Sequence, residues 1–226
     1  MPPRKKQTPA KELTFATWRG VPCFDFNMCL LLAHAPLDVA AAAFVKTFGG
    51  KWVKDVGGKE VRHTPPAYVV YQFREHPWTV FDFFVNSAHG VGAKWTTQDE
   101  AKRFSKALKD KVILVPISDT GGVYEYALYD KGKLFERVGD PYPPPGKPYE
   151  LVFESPGRNA KPPEPRKLLS FIDEFMREQD VLIPPFGSVA KDDPFAARKG
   201  GQTIRLDYDM EFEPENLVRV DYISLA

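Results

Sequence analysis

Cysteine and histidine are scarce in this sequence, and neither occurs at a spacing typical of a metal site. Only two cysteines and four histidines occur among the 226 residues. The C-x-x-C, H-x-x-x-H and H-E-x-x-H spacings that hold zinc are all missing. We therefore predict no metal ion and no other cofactor. We expect Cys23 and Cys29 to be reduced thiols, which are typical of a cytoplasmic protein.

The sequence also lacks a glycine-rich phosphate-binding motif and an uninterrupted apolar run. Its glycine pairs lie in predicted turns and match neither G-x-G-x-x-G nor a Walker loop. The longest apolar region, residues 28–45, is interrupted by His34, Pro36 and Asp38, so it is a poor membrane span. These absences argue against nucleotide-binding and membrane-spanning proteins.

The overall charge is close to neutral, but it is unevenly distributed. A net charge of +1, with 43% apolar and 27% charged residues, is ordinary for a globular protein and does not by itself indicate a nucleic-acid binder. The first eleven residues carry four basic and no acidic side chains. We predict a disordered basic arm over residues 1–11, which contains Arg4, Lys5 and Lys6.

Three helices are predicted by apolar residues at helical spacing, near residues 37–48, 98–110 and 166–180. Pro36 suits the first turn of the first helix, and Gly49 is a typical residue after its end. Thr97 and Glu100 form a capping box at the start of the second helix. Each helix is expected to bury one side against a sheet.

Alternating and aromatic-rich segments predict a largely antiparallel sheet built around residues 68–85 and 112–138. Residues 149–154 are a further candidate for an edge strand. Pro116 lacks the N–H group that a strand interior needs, so we expect an edge or a bulge there. The predicted fold class is α+β, with a largely antiparallel sheet covered by about three helices.

Proline divides the chain into regions. Nine of the 22 prolines fall between residues 140 and 166, and proline-rich segments are stiff connectors. We therefore predict an α+β core over residues 12–139, a proline-rich connector over 140–166, and a C-terminal helix with strands over 167–226. We expect this last region to pack on the same core.

Residues 206–213 form a ladder in which an acid occupies every second position. As a strand, the segment would place its acids on one face and its apolar residues on the other. Residues on one face of a strand repeat about every 6–7 Å, so four acids cannot converge on one cation. We predict an edge or interface strand that presents Asp207, Asp209, Glu211 and Glu213.

Two enzymatic alternatives remain open. The first is a thiol enzyme that uses Cys23 or Cys29 with His89 and Asp119, because those residue types can supply a nucleophile, a base and an orienting group. The second is a metal-assisted hydrolase that uses the acids of the ladder. The residues around either cysteine match no nucleophile motif, so the sequence favours a protein that is not an enzyme.

The leading hypothesis is a cytoplasmic interaction factor that binds a basic partner protein through the acidic ladder. By analogy with small acidic inhibitors, it would be an immunity, inhibitor or accessory subunit in a bacterial system. A second alternative is a nucleic-acid-binding accessory protein. It would use Arg4, Lys5 and Lys6 of the arm, and Lys102, Arg103, Lys106 and Lys109 of the second helix.

Overall fold

The computed structural model describes residues 17–21, 28–57, 60–63, 67–83, 96–118, 123–140, 151–164, 167–183, 189–190, 202–205 and 216–225. The helices are α1 (Leu37–Phe48), α2 (Gln98–Leu108) and α3 (Leu168–Glu178). The strands are β1 (Met28–His34), β2 (Lys51–Val53), β3 (Glu60–His63), β4 (Ala67–Phe73), β5 (Trp78–Phe83), β6 (Lys111–Ser118), β7 (Val123–Asp130), β8 (Lys133–Asp140), β9 (Val152–Glu154), β10 (Val189–Ala190), β11 (Gln202–Arg205) and β12 (Leu217–Ser224).

A nine-stranded sheet in the order β2-β12-β4-β5-β1-β6-β7-β8-β9 forms the centre of the fold, and all of its neighbouring strands are antiparallel. A second sheet has the order β10-β11-β3. The predicted α+β class with a largely antiparallel sheet is therefore confirmed. The prediction of an edge strand within residues 149–154 is also confirmed, because β9 lies at the end of the large sheet.

The middle of the large sheet has a recognisable topology. Along the chain, β1, α1, β4, β5, α2 and β6 follow one another, with β2 and β3 inserted before β4. In the sheet these strands stand in the order β4-β5-β1-β6, and both helices cover the same face. This is the ferredoxin-like β-α-β-β-α-β arrangement. It is a statement about topology and does not by itself indicate function.

Both faces of the sheet are buried in hydrophobic cores. On one face, α1 and α2 pack through Phe44 and Phe104 against strand residues such as Leu31. On the opposite face, α3 packs through Ile172 and Phe175. Since successive strand residues alternate between faces, β1 contributes Leu31 to one core and Leu30 and Leu32 to the other.

The second helix begins as its sequence predicts. The Thr97 hydroxyl accepts a hydrogen bond from the backbone N–H of Glu100 at 3.3 Å. In return, Oε2 of Glu100 accepts from the backbone N–H of Thr97 at 2.7 Å. This reciprocal pair is the predicted capping box.

The end of α2 is fixed to the turn between β7 and β8. The buried hydroxyl of Ser105 donates to the carbonyl of Asp110 at 2.7 Å and accepts from the N–H of Gly132 at 3.1 Å. Gly132 has φ +80°, and a Cβ there would lie 2.7 Å from Cβ of Lys106. Glycine therefore allows the turn to approach the helix this closely.

The expectation of an edge or a bulge at Pro116 is wrong. Strand β6 is interior, lying between β1 and β7. Its pairs with β7 are interrupted between Leu114↔Ala127 and Ile117↔Tyr124, without a change of register. Pro116 lies in this gap. The N–H group that it lacks is therefore not needed for pairing with β7.

A buried carboxylate ties β12 to β2 and to the start of α1. Asp221 is 0% exposed and accepts hydrogen bonds from Trp52 Nε1, from the backbone N–H of Asp55 and from Arg219 Nε at 2.8–2.9 Å. Arg219 also binds the exposed Asp38 at 2.6 Å, and this guanidinium holds the pKa of the Asp38 carboxyl well below its usual range. The network fixes the sheet edge on the side of α1.

We predict that Asp221→Ala will lower the free energy of unfolding by about 3 kcal/mol, because it removes the buried acceptor that Trp52 Nε1, the Asp55 N–H and Arg219 share. Asp38→Ala is the matched control, since it removes the exposed partner of Arg219 and leaves the buried bonds intact. Urea denaturation would measure both. Equal losses for the two variants would contradict the assignment of the stabilisation to Asp221.

Candidate functional site

A cavity of about 270 Å³ lies where α1 and α2 meet the sheet. Its wall is formed by Leu31, Phe44, Thr47, Phe48, Tyr68, Thr96, Glu100, Arg103 and Leu225. The first residue is from β1, the next three from α1, and Glu100 and Arg103 from α2. The cavity therefore exists because the two crossover helices of the ferredoxin-like unit lie side by side on one face.

The floor of the cavity is apolar and aromatic. Phe44 lies 4.8 Å from Phe48 and 4.9 Å from Tyr68, measured between ring centroids. Phe44 and Phe48 are one helical turn apart on α1, so they point toward the same surface. Packed aromatic rings of this kind give the cavity a fixed shape.

Hydroxyl groups line one side of the cavity. The Tyr68 hydroxyl and Oγ1 of Thr96 are joined by a hydrogen bond of 2.7 Å. Burial raises the pKa of Tyr68, so its phenol is neutral at physiological pH. On another side, the Thr47 hydroxyl donates to the carbonyl of Ala43 at 2.7 Å. The Thr47 oxygen, whose proton goes to Ala43, can accept a further hydrogen bond.

Two opposite charges line the cavity. Glu100 uses Oε2 for the capping box, whereas its Oε1 makes no hydrogen bond within the described part of the chain. The Arg103 guanidinium lies over the Phe48 ring at 5.3 Å from its centroid. No ion pair within 4.0 Å joins Arg103 to any residue that the structure describes. A carboxylate oxygen and a guanidinium are thus both available to a ligand.

The outer side of α2 forms a basic face together with the neighbouring turn. This basic face consists of the exposed side chains Lys102, Lys106, Lys109, Lys131 and Lys133. The Ser105–Gly132 hydrogen bond holds the turn beside the helix. Among the described residues, none of these lysines has a carboxylate within 4.0 Å. The surface is therefore positive and without internal neutralisation.

The structure describes some of the predicted site residues and not others. Lys102, Arg103, Lys106 and Lys109 all lie on the exposed side of α2. Three groups lie outside the described residues, so their predictions stay predictions. They are the arm residues Arg4, Lys5 and Lys6, the ladder residues Asp207, Asp209, Glu211 and Glu213, and the candidate catalytic residues Cys23, His89 and Asp119.

Cys29 is a core residue beneath the cavity. Its side chain is 1% exposed, and burial raises the pKa of its thiol to about 12 although Thr96 hydrogen bonds to it. At neutral pH such a thiol carries almost no thiolate, which is the nucleophilic form. These properties argue against Cys29 as the nucleophile of a thiol enzyme.

Two acids of the large sheet, Glu136 and Asp82, were not predicted as notable residues from the sequence. Glu136 is 0% exposed, and its Oε1 accepts from Arg158 Nε at 2.8 Å and from the Ser155 hydroxyl at 3.1 Å. Asp82, on β5, is half-buried between its strand partners Leu30 and Val69, and no described residue hydrogen-bonds to its carboxylate. Asp82 could have been noticed in the sequence, because it is an acid within the aromatic segment 78–84.

Comparison with known protein families, with characterised proteins and with solved structures gives no match to this chain. Within the described part of the chain, no group of three or more histidine, cysteine, aspartate or glutamate side chains is placed to hold a metal ion. No helix among these residues has both the length and the apolar character needed to cross a bilayer.

Asp82 makes the stability of the fold depend on pH. Burial raises the pKa of its carboxyl from 3.8 to about 7. The folded state therefore holds this proton over a range in which the unfolded state has lost it, so the side chain costs stability increasingly as pH rises from 4 to 7. Above that range the cost is constant.

We predict that Asp82→Asn, which cannot ionise, will unfold at a higher denaturant concentration than the unmodified protein at pH 8. The stability difference between the two proteins should grow by about 3 kcal/mol between pH 4.5 and 8. Urea titrations across this range would measure it. A difference that stays constant with pH would contradict the raised pKa.

Proposed function

We propose that this protein is a non-enzymatic interaction factor and that an acidic partner protein binds its basic face. The observation that carries the proposal is the exposed lysine cluster on α2 and the β7–β8 turn, in which no described carboxylate neutralises a lysine. Complementary charge steers partners together and sets their orientation. Because these lysines have no ion pair with a described residue, a partner's carboxylates would not compete with an internal acid within that part of the chain.

The orientation of the basic face supports this role. Ser105 and Gly132 fix the turn against α2, so Lys131 and Lys133 are held on the same surface as Lys106. The backbone carrying these charges is therefore pre-organised, which reduces the entropy lost on binding. The lysine side chains themselves remain flexible, so we place them at the rim of an interface.

A protein partner is favoured over nucleic acid by charge and by topology. The isoelectric point of the chain is about 7.7, whereas nucleic-acid-binding domains typically exceed about 9. RNA-recognition domains stack bases on an open sheet face, and the corresponding face here is buried beneath α3. The large exposed hydrophobic residues of the described part are Val39, Val53 and Val218, and none is aromatic.

The acidic ladder adds a second proposed surface. Asp207, Asp209, Glu211 and Glu213 would meet a basic partner, so the protein would have two contact surfaces of opposite charge. Such a chain suits an immunity, inhibitor or accessory subunit of a bacterial system that joins two components. This assignment rests on analogy with small charged inhibitors.

We predict that the triple variant Lys102→Glu/Lys106→Glu/Lys133→Glu will lose its partner in affinity capture from the native host, because reversed charges repel an acidic surface. The control Lys46→Glu/Lys51→Glu/Lys161→Glu changes the net charge equally at exposed positions elsewhere. It should keep the partner. Quantitative mass spectrometry of the captured proteins, with circular dichroism to verify folding, would measure both.

Nuclease treatment and a defined DNA separate the two partner classes. The captured partner should persist after nuclease treatment, and a 30-base-pair duplex should not compete with it at physiological salt. Loss of the partner on nuclease treatment would overturn the proposal in favour of nucleic acid. Equal capture by the triple variant and the control would remove the basic face from the interface.

We also predict that Asp207→Asn/Asp209→Asn/Glu211→Gln/Glu213→Gln will weaken binding of a basic partner while leaving the thermal unfolding transition in place. The reason is that neutral amides keep the side-chain shape and remove the charge that attracts basic residues. Affinity capture with this variant is the measurement. An unchanged set of captured proteins would refute the role of the ladder.

A further inference from the structure

We infer that the cavity between α1 and α2 binds a small zwitterion with an apolar side chain, of the class of the apolar α-amino acids. The inference is independent of the proposed function, because the cavity wall contains none of the lysines of the basic face. It combines three properties of the described residues: two opposite charges in the wall, an apolar floor, and hydroxyl groups in the lining.

The two charges of the cavity suit the two charged groups of an amino acid. Glu100 and Arg103 are three residues apart on α2, so their side chains are neighbours on the helix surface. Arginine binds a carboxylate through parallel N–H donors, and Oε1 of Glu100 can accept from an ammonium. The absence of an ion pair between Glu100 and Arg103 leaves both groups available.

A zwitterion satisfies this wall better than a ligand with one charge. A simple carboxylate would bind Arg103 but would be repelled by Glu100. A simple amine would bind Glu100 but would be repelled by Arg103. Glu100 and Arg103 are the charged residues among those lining the cavity. A ligand carrying both charges on adjacent groups gains both attractions and avoids both repulsions.

The remaining wall accepts an apolar side chain. Leu31, Phe44 and Phe48 provide a hydrophobic surface, and the volume of about 270 Å³ lies just below the range of roughly 300–1,000 Å³ found for drug-sized ligands. One small molecule therefore fits. The Thr47 hydroxyl, whose proton goes to the Ala43 carbonyl, keeps acceptor capacity for an ammonium N–H.

The test compares three ligands of the same carbon skeleton. L-Leucine carries both charges, 4-methylpentanoate lacks the ammonium, and 3-methylbutan-1-amine lacks the carboxylate. Isothermal titration calorimetry and NMR shift mapping at pH 7 would measure each ligand on the full chain. L-Leucine should bind about tenfold more tightly than either analogue, and the shifted resonances should include Thr47, Thr96 and Arg103.

Two variants test the two charges separately. Arg103→Gln keeps a good helix former, and Glu100→Gln keeps the capping box because glutamine also serves at that position. Each should weaken L-leucine binding by about fivefold or more. Arg103→Gln should also abolish the preference for leucine over the amine, and Glu100→Gln the preference over the carboxylate.

Nearby charges provide matched controls. Lys46→Gln and Asp99→Asn remove an exposed charge next to the cavity residues Thr47 and Glu100 without changing the wall, and both should bind L-leucine as the unmodified protein does. Equal affinity for leucine and 4-methylpentanoate would overturn the inference, because the site would then recognise only a carboxylate. No saturable binding of L-leucine or L-phenylalanine up to about 10 mM would also overturn it.

Discussion

The arrangement of this protein depends on the burial of its central strand on both faces. β1 pairs with β5 on one side and β6 on the other, and it contributes side chains to both hydrophobic cores. A sheet that is apolar on both faces has to be covered on both faces. The crossover helices α1 and α2 cover one, and α3 covers the other. As a result the described central strands of the sheet are buried, and the candidate sites that the structure describes lie on and between the two crossover helices and on the neighbouring β7–β8 turn.

The capping box connects folding to the candidate ligand site. Glu100 starts α2 by accepting hydrogen bonds through Oε2, and this role fixes the position of its carboxylate at the cavity wall. Glu100 and Arg103, three residues apart on α2, both line this cavity. One local interaction therefore determines both where the helix begins and where a negative charge meets the cavity. At the other end of α2, Ser105 similarly determines where the lysines of the turn lie.

Local features of the fold were predictable from the sequence, and non-local ones were not. Thr97 and Glu100 marked the start of α2 because a cap involves residues only three positions apart. Pro116 misled, because a missing N–H is tolerated wherever a ladder has a gap, and such a gap depends on the neighbouring strand. The cavity could not be predicted, since it arises where Thr47 and Phe48 of α1 approach Glu100 and Arg103 of α2. Whether these residues come close together depends on how both helices pack on the sheet.

The acids buried or half-buried in this protein differ in how many hydrogen bonds stabilise their carboxylates. This difference indicates which of them to test for a functional role. Asp221 is fully buried, and Arg219, Trp52 Nε1 and the Asp55 N–H compensate its loss of hydration. Glu136 is also fully buried, but Arg158 and Ser155 compensate it only in part: its Oε2 has no hydrogen-bond partner among the described residues, and burial raises the pKa of its carboxyl. The Asp82 carboxylate accepts no hydrogen bond from a described residue, and burial raises its pKa to about 7. A carboxylate that lowers stability and accepts no compensating hydrogen bond is a candidate for a functional role. Asp82 belongs to the sheet face under α3, so any such role would be separate from the cavity and the basic face on the opposite side.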